Sequence, residues 1–206
     1  MADKQKVFIV DDDEGVREGL SLLLATVGQP CELYESAHEF MKTYDNEKSG
    51  CLVLDIRMPR MTGLDLQKKL IEMGSKLPII FITGHGDIPM AVEAMRRGAV
   101  DFIRKPFREH DLLDRINEAL AVDGTARQRA MGQRALEDKL SSLSQREWEV
   151  FERVAEGDMN KVIAADLGIS ERTVEVHRAH VMEKLNVNTL AQLVRVKIES
   201  ELAAEA

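Results

Sequence analysis

The strongest constraint on this chain is a series of short apolar runs, each ending in a residue with chemistry to offer. Val7-Phe8-Ile9-Val10, Cys51-Leu52-Val53-Leu54 and Ile79-Ile80-Phe81-Ile82 are unbroken, Val100 to Ile103 is nearly so, and Cys31-Glu32-Leu33-Tyr34 is a weaker fifth. Each is too short for a buried helix and lacks the alternation of a half-wet strand. Near-continuous apolar runs are what a parallel sheet covered on both faces requires. Between and after them lie helical patterns: Val16/Leu20/Leu23/Leu24, Phe40/Met41, Leu64/Leu66/Leu70/Ile71, Met90/Val92/Met95 and Leu112/Leu113/Ile116/Leu120. Gly28, Gly50, Gly74 and Gly98 are expected at or just past the ends of the first four helices, as left-handed caps. Right-handed crossovers then make residues 4–122 an α/β domain, a doubly wound five-stranded parallel sheet.

The pattern changes after Val122. Residues 123–142 are polar, with Leu136, Leu140 and Leu143 at helical spacing. They read as a linker, helical in its second half, either a tether or a dimerising, signal-carrying helix. Residues 143–206 read as all-α, with four short helices. Ser144 and Glu147 form an S-x-x-E capping box before Trp148, Val150, Phe151 and Val154. Two further helices, Met159–Leu167 and Ser170–Leu185, are joined by Gly168-Ile169. A last helix carries Leu190, Leu193, Val194 and Ile198. The central pair has helix-turn-helix spacing, which a bare helical hairpin also satisfies.

Composition narrows the function classes. There are 28 Lys+Arg against 36 Asp+Glu, a formal charge of −8, which argues against non-specific coating of nucleic acid. No apolar run reaches the roughly 18 residues of a membrane span, and the amino end lacks a signal-peptide core, so a cytoplasmic location is expected. Cys31 and Cys51, with no CxxC, read as buried thiols, and His38, His85 and His110 as surface residues.

In doubly wound sheets ligands bind outside the carboxyl ends of the strands. Here those ends carry Asp11-Asp12-Asp13, Asp55, Thr83-Gly84 and Arg104-Lys105-Pro106. Clustered carboxylates repel, and a hard divalent cation with oxygen ligands, Mg²⁺, relieves that. Mg²⁺ favours phosphoryl oxygens, and a neighbouring aspartate can accept a phosphoryl group. Lys105 would neutralise the transferred group, Thr83 would donate to it, and Gly84 would leave the approach to Asp55 open.

Those motifs, with Leu54-Asp55-Ile56-Arg57-Met58-Pro59, Gly63 and Lys105-Pro106-Phe107, resemble the receiver domain of two-component response regulators. The resemblance covers residues 4–122. It implies that Asp55 is the phosphoacceptor, that Asp11, Asp12, Asp55 and the backbone carbonyl of Arg57 hold Mg²⁺, and that Thr83 and Lys105 are the switch pair. It also implies that Phe102 is the aromatic that turns inward on activation, and that a sensor histidine kinase is the donor. Asp13 departs from the family, which often has Glu there. A haloacid-dehalogenase-like phosphohydrolase is the rival enzyme reading, but its D-x-D lies on the first strand, whereas Asp55 is on the third and is followed by Ile56-Arg57.

Leu143-Ser144-Gln145-Arg146-Glu147, Asn160-Lys161-Val162-Ile163-Ala164, Thr173-Val174-Glu175-Val176-His177-Arg178 and Lys184-Leu185-Asn186-Val187 resemble the LuxR/NarL-type DNA-binding domain, and the whole order resembles the FixJ-like branch. Double-stranded promoter DNA is the implied partner. Thr173, His177 and Arg178 are expected to share an outward face with Lys184. Asn160, Lys161, Arg178 and Lys184 are then phosphate candidates, and Thr173, Val176 and His177 base-edge candidates. Glu175 stands where many relatives carry Lys. Residues 125–206 hold 12 Lys+Arg and 14 Asp+Glu, so a single copy should bind DNA weakly and a homodimer better. The family places that contact on the last helix, making Leu190, Leu193 and Val194 dimerisation candidates, unless they serve simply as core. The implied function is a phosphorylation-controlled transcription factor, with RNA polymerase as a further candidate partner. The full acidic pair and Lys105 argue against a regulator that works without phosphorylation. The helix-turn-helix motif argues against an RNA-binding antiterminator.

Overall fold

The computed structural model describes residues 5–84 and 88–204, with side chains to 202, so His85 and the extreme ends of the two domains lie outside the described residues. The chain divides into two compact units, Met1–Arg127 and Gln128–Ala206. In the first, β1 (Lys6–Val10), β2 (Cys31–Tyr34), β3 (Gly50–Asp55), β4 (Ile79–Thr83) and β5 (Asp101–Arg104) form one parallel sheet in the order β2-β1-β3-β4-β5. Helices α1 (Glu14–Thr26), α2 (Ala37–Thr43), α3 (Gly63–Glu72), α4 (Ile88–Arg96) and α5 (Glu109–Ser141) follow the strands in turn.

Both faces of the sheet are covered. Phe8, Val10, Leu52, Leu54 and Phe81 pack with Phe40 of α2, Leu66 and Leu70 of α3 and Ala94 of α4. Their neighbours Val7, Ile9, Val53, Ile80 and Ile82 pack with Leu20 and Leu24 of α1 and Leu112, Ile116 and Leu120 of α5. Successive residues in a strand point to opposite faces. A strand with helices on both sides must therefore be apolar throughout, and every residue of β3 is buried. Each large side chain so removed from water contributes about 1.5–3 kcal/mol.

Two expectations are corrected. Gly28, Gly74 and Gly98 follow α1, α3 and α4 at positive φ, but Gly50 caps no helix. It opens β3 at φ 138°, where a Cβ would stand 1.7 Å from the carbonyl oxygen of Lys6, so the close approach of β1 and β3 demands glycine. The linker is not half helical: α5 runs unbroken through Ser141. Strong helix formers dominate the stretch and no proline interrupts it, so Gly124 and Gly132, at about 1 kcal/mol each, do not break it.

The second unit holds α6 (Gln145–Ala155), α7 (Asn160–Leu167), α8 (Glu171–Leu185) and α9 (Leu190–Ala204). Val150, Phe151, Val154, Ile163, Val174, Val181, Leu185 and Leu193 form its core, against which Leu140 and Leu143 pack. Ser144 and Glu147 make the reciprocal cap expected of α6. Left-handed Gly168 and Asn186 bracket α8, and the Ser170 hydroxyl accepts from the Thr173 amide at its start.

Candidate functional site

The strand order reverses at β1, so the crevice lies between the carboxyl ends of β1 and β3. Val10 pairs with Leu54, which sets Asp11 beside Asp55; Asp55 pairs with Ile82, which sets Thr83 next along the edge. Lys105 follows Arg104, the partner of Thr83. Its Nζ lies 2.6 Å from Asp11 Oδ2 and 3.1 Å from Asp55 Oδ1, one ammonium bridging two buried carboxylates. Burial pushes the Asp55 carboxyl above its ordinary range and Asp11 adds to this, while the charge and hydrogen bond of Lys105 pull it back. For Lys105, burial works to lower the value, but the hydrogen bond and charge of Asp11, with those of Asp55, leave it raised, so the ammonium stays charged.

Backbone groups hold both acids in place. The Asp13 amide donates to Asp11 Oδ1 at 3.0 Å, and the Arg57 amide donates to Asp55 Oδ2 at 2.7 Å. Asp13 turns away from the crevice to cap α1, accepting from the amides of Gly15 and Val16, while Asp12 is exposed. Thr83 is buried at the end of β4. Gly84 has open space where a Cβ would be. Phe102 is half-buried against the α2–α4 side of the core, and the Lys105–Pro106 peptide is cis. Arg17, which sequence patterning did not single out, donates to the Asp11 carbonyl at 2.8 Å. Gly63 lets α3 start against the β3 end, since a Cβ there would stand 2.3 Å from the Asp55 carbonyl.

No three His, Cys, Asp or Glu side chains among the described residues are arranged as a metal cage. The donors present are two bridged carboxylates, the exposed Asp12 and nearby backbone carbonyls. That set suits Mg²⁺, which keeps several waters and takes only one or two carboxylates.

In the second unit the structure corrects the expected face of α8. Thr173, His177 and Arg178 are half-buried along the edges of the Val174/Val181/Leu185 stripe. The outward face carries Arg172, Glu175, Val176, Ala179, His180 and Glu183. At 100° per residue Arg178 falls across the buried stripe from Thr173 and His177, which is why the four could not share one face. Arg178 donates to Asn160 Oδ1 at 2.9 Å, a neutral partner that orients the charge without cancelling it. Lys184 is committed elsewhere: its ammonium lies 2.6 Å from Glu147 Oε2 and donates to the Ser142 carbonyl. That pairing, with the Ser144 amide, holds the Glu147 carboxyl at about 2. The Nδ1 of His177 is buried without a hydrogen-bond partner among the described residues. Arg172 and Lys161 are exposed and form no ion pair among the described residues. Arg172 was detectable in sequence as the first cation after the Ser170 cap. On α9, Leu193 is 1% exposed and belongs to the core, whereas Leu190 is 45% exposed and Val194 half-buried.

No helix among the described residues is long and apolar enough to cross a membrane. The model of the response regulator receiver domain matches residues 7–117, and that of bacterial regulatory proteins of the luxR family matches residues 141–197. Response regulator protein TodT of Pseudomonas putida is 47% identical over 197 residues, covering 95% of this chain and 87% of its own. Transcriptional regulatory protein FixJ of Bradyrhizobium diazoefficiens is 39% identical over 201 residues, covering 97% and 98%. Among solved structures, the response regulator StyR is 48% identical with a TM-score of 0.92, covering 96% of this chain and all of its own. Full-length FixJ from B. japonicum is 38% identical with a TM-score of 0.59, covering 97% and 98%. The chain belongs to the response regulators, in their FixJ-like branch: a transcription regulator in which a receiver domain precedes a LuxR-type DNA-binding domain.

Proposed function

We propose that Asp55 accepts a phosphoryl group from the phosphohistidine of a sensor kinase, and that the aspartyl phosphate controls dimerisation and promoter binding. One observation carries this reading: the Lys105 ammonium bridges Asp11 and Asp55 at the switch point of the sheet. In the transfer an Asp55 carboxylate oxygen bonds to phosphorus and the P–N bond to the kinase imidazole breaks. The leaving nitrogen keeps the electron pair and takes up a proton. Asp11, Asp12, Asp55 and the Arg57 carbonyl are the residues that would hold Mg²⁺, which would supply charge neutralisation for the phosphoryl oxygens. Lys105 supplies a second positive charge, Thr83 a hydroxyl donor, and Gly84 an open approach.

Phosphorylation biases two states of the receiver through differential contacts with the new dianion, with Thr83 and Phe102 as moving parts. In the DNA-binding unit α8 enters the major groove by its first turns. Arg172 and Val176 face base edges, while Lys161, Arg178 and the Asn160 that orients it flank the backbone, with Thr173 and His177 at the rim. Leu190 and Val194 supply the apolar contact of a dimer, and RNA polymerase is met at the promoter. Incubation with acetyl phosphate and Mg²⁺ should give a hydroxylamine-labile phosphoryl adduct in the wild type and none in Asp55→Asn. An adduct that survives in Asp55→Asn, or none in the wild type, overturns the reading.

A further inference from the structure

Asp123 is the first residue of the polar linker, where a tether would carry a solvated side chain. It is instead 4% exposed. Its Oδ2 accepts from Gln5 Nε2, the Ser49 hydroxyl and the Gly50 amide, each at 2.9 Å. Its Oδ1 accepts from Arg127 Nε at 3.0 Å, and Arg127 donates in turn to the Lys48 carbonyl. Gln5 also donates to the Leu120 carbonyl at 2.8 Å. A buried carboxylate is tolerated only when so fully partnered, and here its partners come from the segments that open β1 and β3. Nearly three turns of α5 beyond the receiver match, which ends at residue 117, are thereby bolted to the amino edge of the sheet. The first compact unit accordingly ends at Arg127.

We propose that Asp123 is a positioning residue for output: it sets the direction and helical phase in which the linker leaves the receiver. Each residue of a helix turns the next by about 100°. Fixing Asp123 and Arg127 therefore fixes the phase of the helical turn that leaves the receiver. Asp123 takes no part in the phosphoryl chemistry. Its partner Gly50 opens β3 and Asp55 ends it, so the two sites stand about 17 Å apart along one strand. The proposal rests on phosphorylation control of DNA binding as read above.

The test uses the full chain and a duplex selected from a random pool by the acetyl phosphate-treated wild type. Asp123→Ala should label at Asp55 at the wild-type rate. Its amides at 124–127 should exchange about tenfold faster, and the gain in DNA affinity on phosphorylation should be lost. One alanine inserted after Arg127 leaves the clamp intact but rotates the helix, and it should abolish that gain as well. A seven-residue helical insertion, within about 20° of the original phase, should retain it. Unchanged exchange at 124–127 in Asp123→Ala overturns the proposal, as does a wild-type gain in either Asp123→Ala or the single insertion. A wild type that labels but gains no affinity refutes phosphorylation control instead, and the exchange result then decides the role of Asp123 alone.

Discussion

Lys184→Met separates two incompatible roles for one cation. As a phosphate contact, Lys184 would contribute about 0.9 to the slope of log K against log salt, and its loss would leave stability untouched. As the partner of Glu147 it does the reverse. Glu147 is 5% exposed, and a hydrogen bond to a charged group is worth about 1.5–3 kcal/mol. The Lys184 side chain is 38% exposed, so solvent screening brings the expected loss down to about 1–2 kcal/mol. For a unit of this size that lowers the melting point by roughly 5–15 °C. The chain has one tryptophan, Trp148 in α6, so its fluorescence in urea reports this unit selectively. The pH dependence gives a second signature. The Glu147 carboxyl is held at about 2 against an ordinary 4.5, so the stabilisation is full above 4.5 and is lost as the pH falls through 2. That slope should flatten in Lys184→Met. An unchanged urea midpoint, with a salt slope reduced by about one, would refute the reasoning.

Lys105→Met leaves Asp11 and Asp55 buried without their cation and should destabilise the receiver by about 3–5 kcal/mol in a chelator, with Mg²⁺ raising its melting point more than the wild type's. A variant that melts with the wild type would show that the bridge is not closed in solution. Gly50→Ala forces a Cβ into the Lys6 carbonyl at a φ hostile to alanine, and a loss above about 2 kcal/mol is expected in urea. Burial pushes the Cys51 thiol up to about 12, whereas Cys31 is half-buried. Iodoacetamide at pH 8 should therefore modify Cys31 in the native protein and reach Cys51 only after unfolding, as peptide mass spectrometry will read.

The strands and the residues at their carboxyl ends were legible because burial on both faces leaves an unmistakable apolar run, and the chain after each run must emerge at the same edge. The runs alone therefore bring Asp11, Asp55, Thr83 and Lys105 to one edge. Nothing in the runs encodes that Asp13 spends its carboxylate on α1, or that Lys105 closes on Asp11 more tightly than on Asp55. Those depend on loop geometry that no periodicity encodes. Gly50 was misread because a glycine after a helical pattern looks like a cap, and only the pairing of β1 with β3 reveals the crowding. Asp123 was hidden for a similar reason: its partners Gln5 and Gly50 lie 118 and 73 residues away, so no local pattern links them. On α8 the error was angular, since placing Arg178 outward ignored its position beside the Val174 stripe, and Arg172 was passed over.

The strand that delivers Asp55 has no solvent side anywhere along its length. It therefore behaves as a beam gripped from above and below, unable to tilt or slide without tearing apart one of two packed layers. Its tip can be altered chemically while the beam itself stays put, so news of the alteration has to travel through the helices and loops around that tip. This is where natural variants that retune the response, without touching the acids themselves, should accumulate.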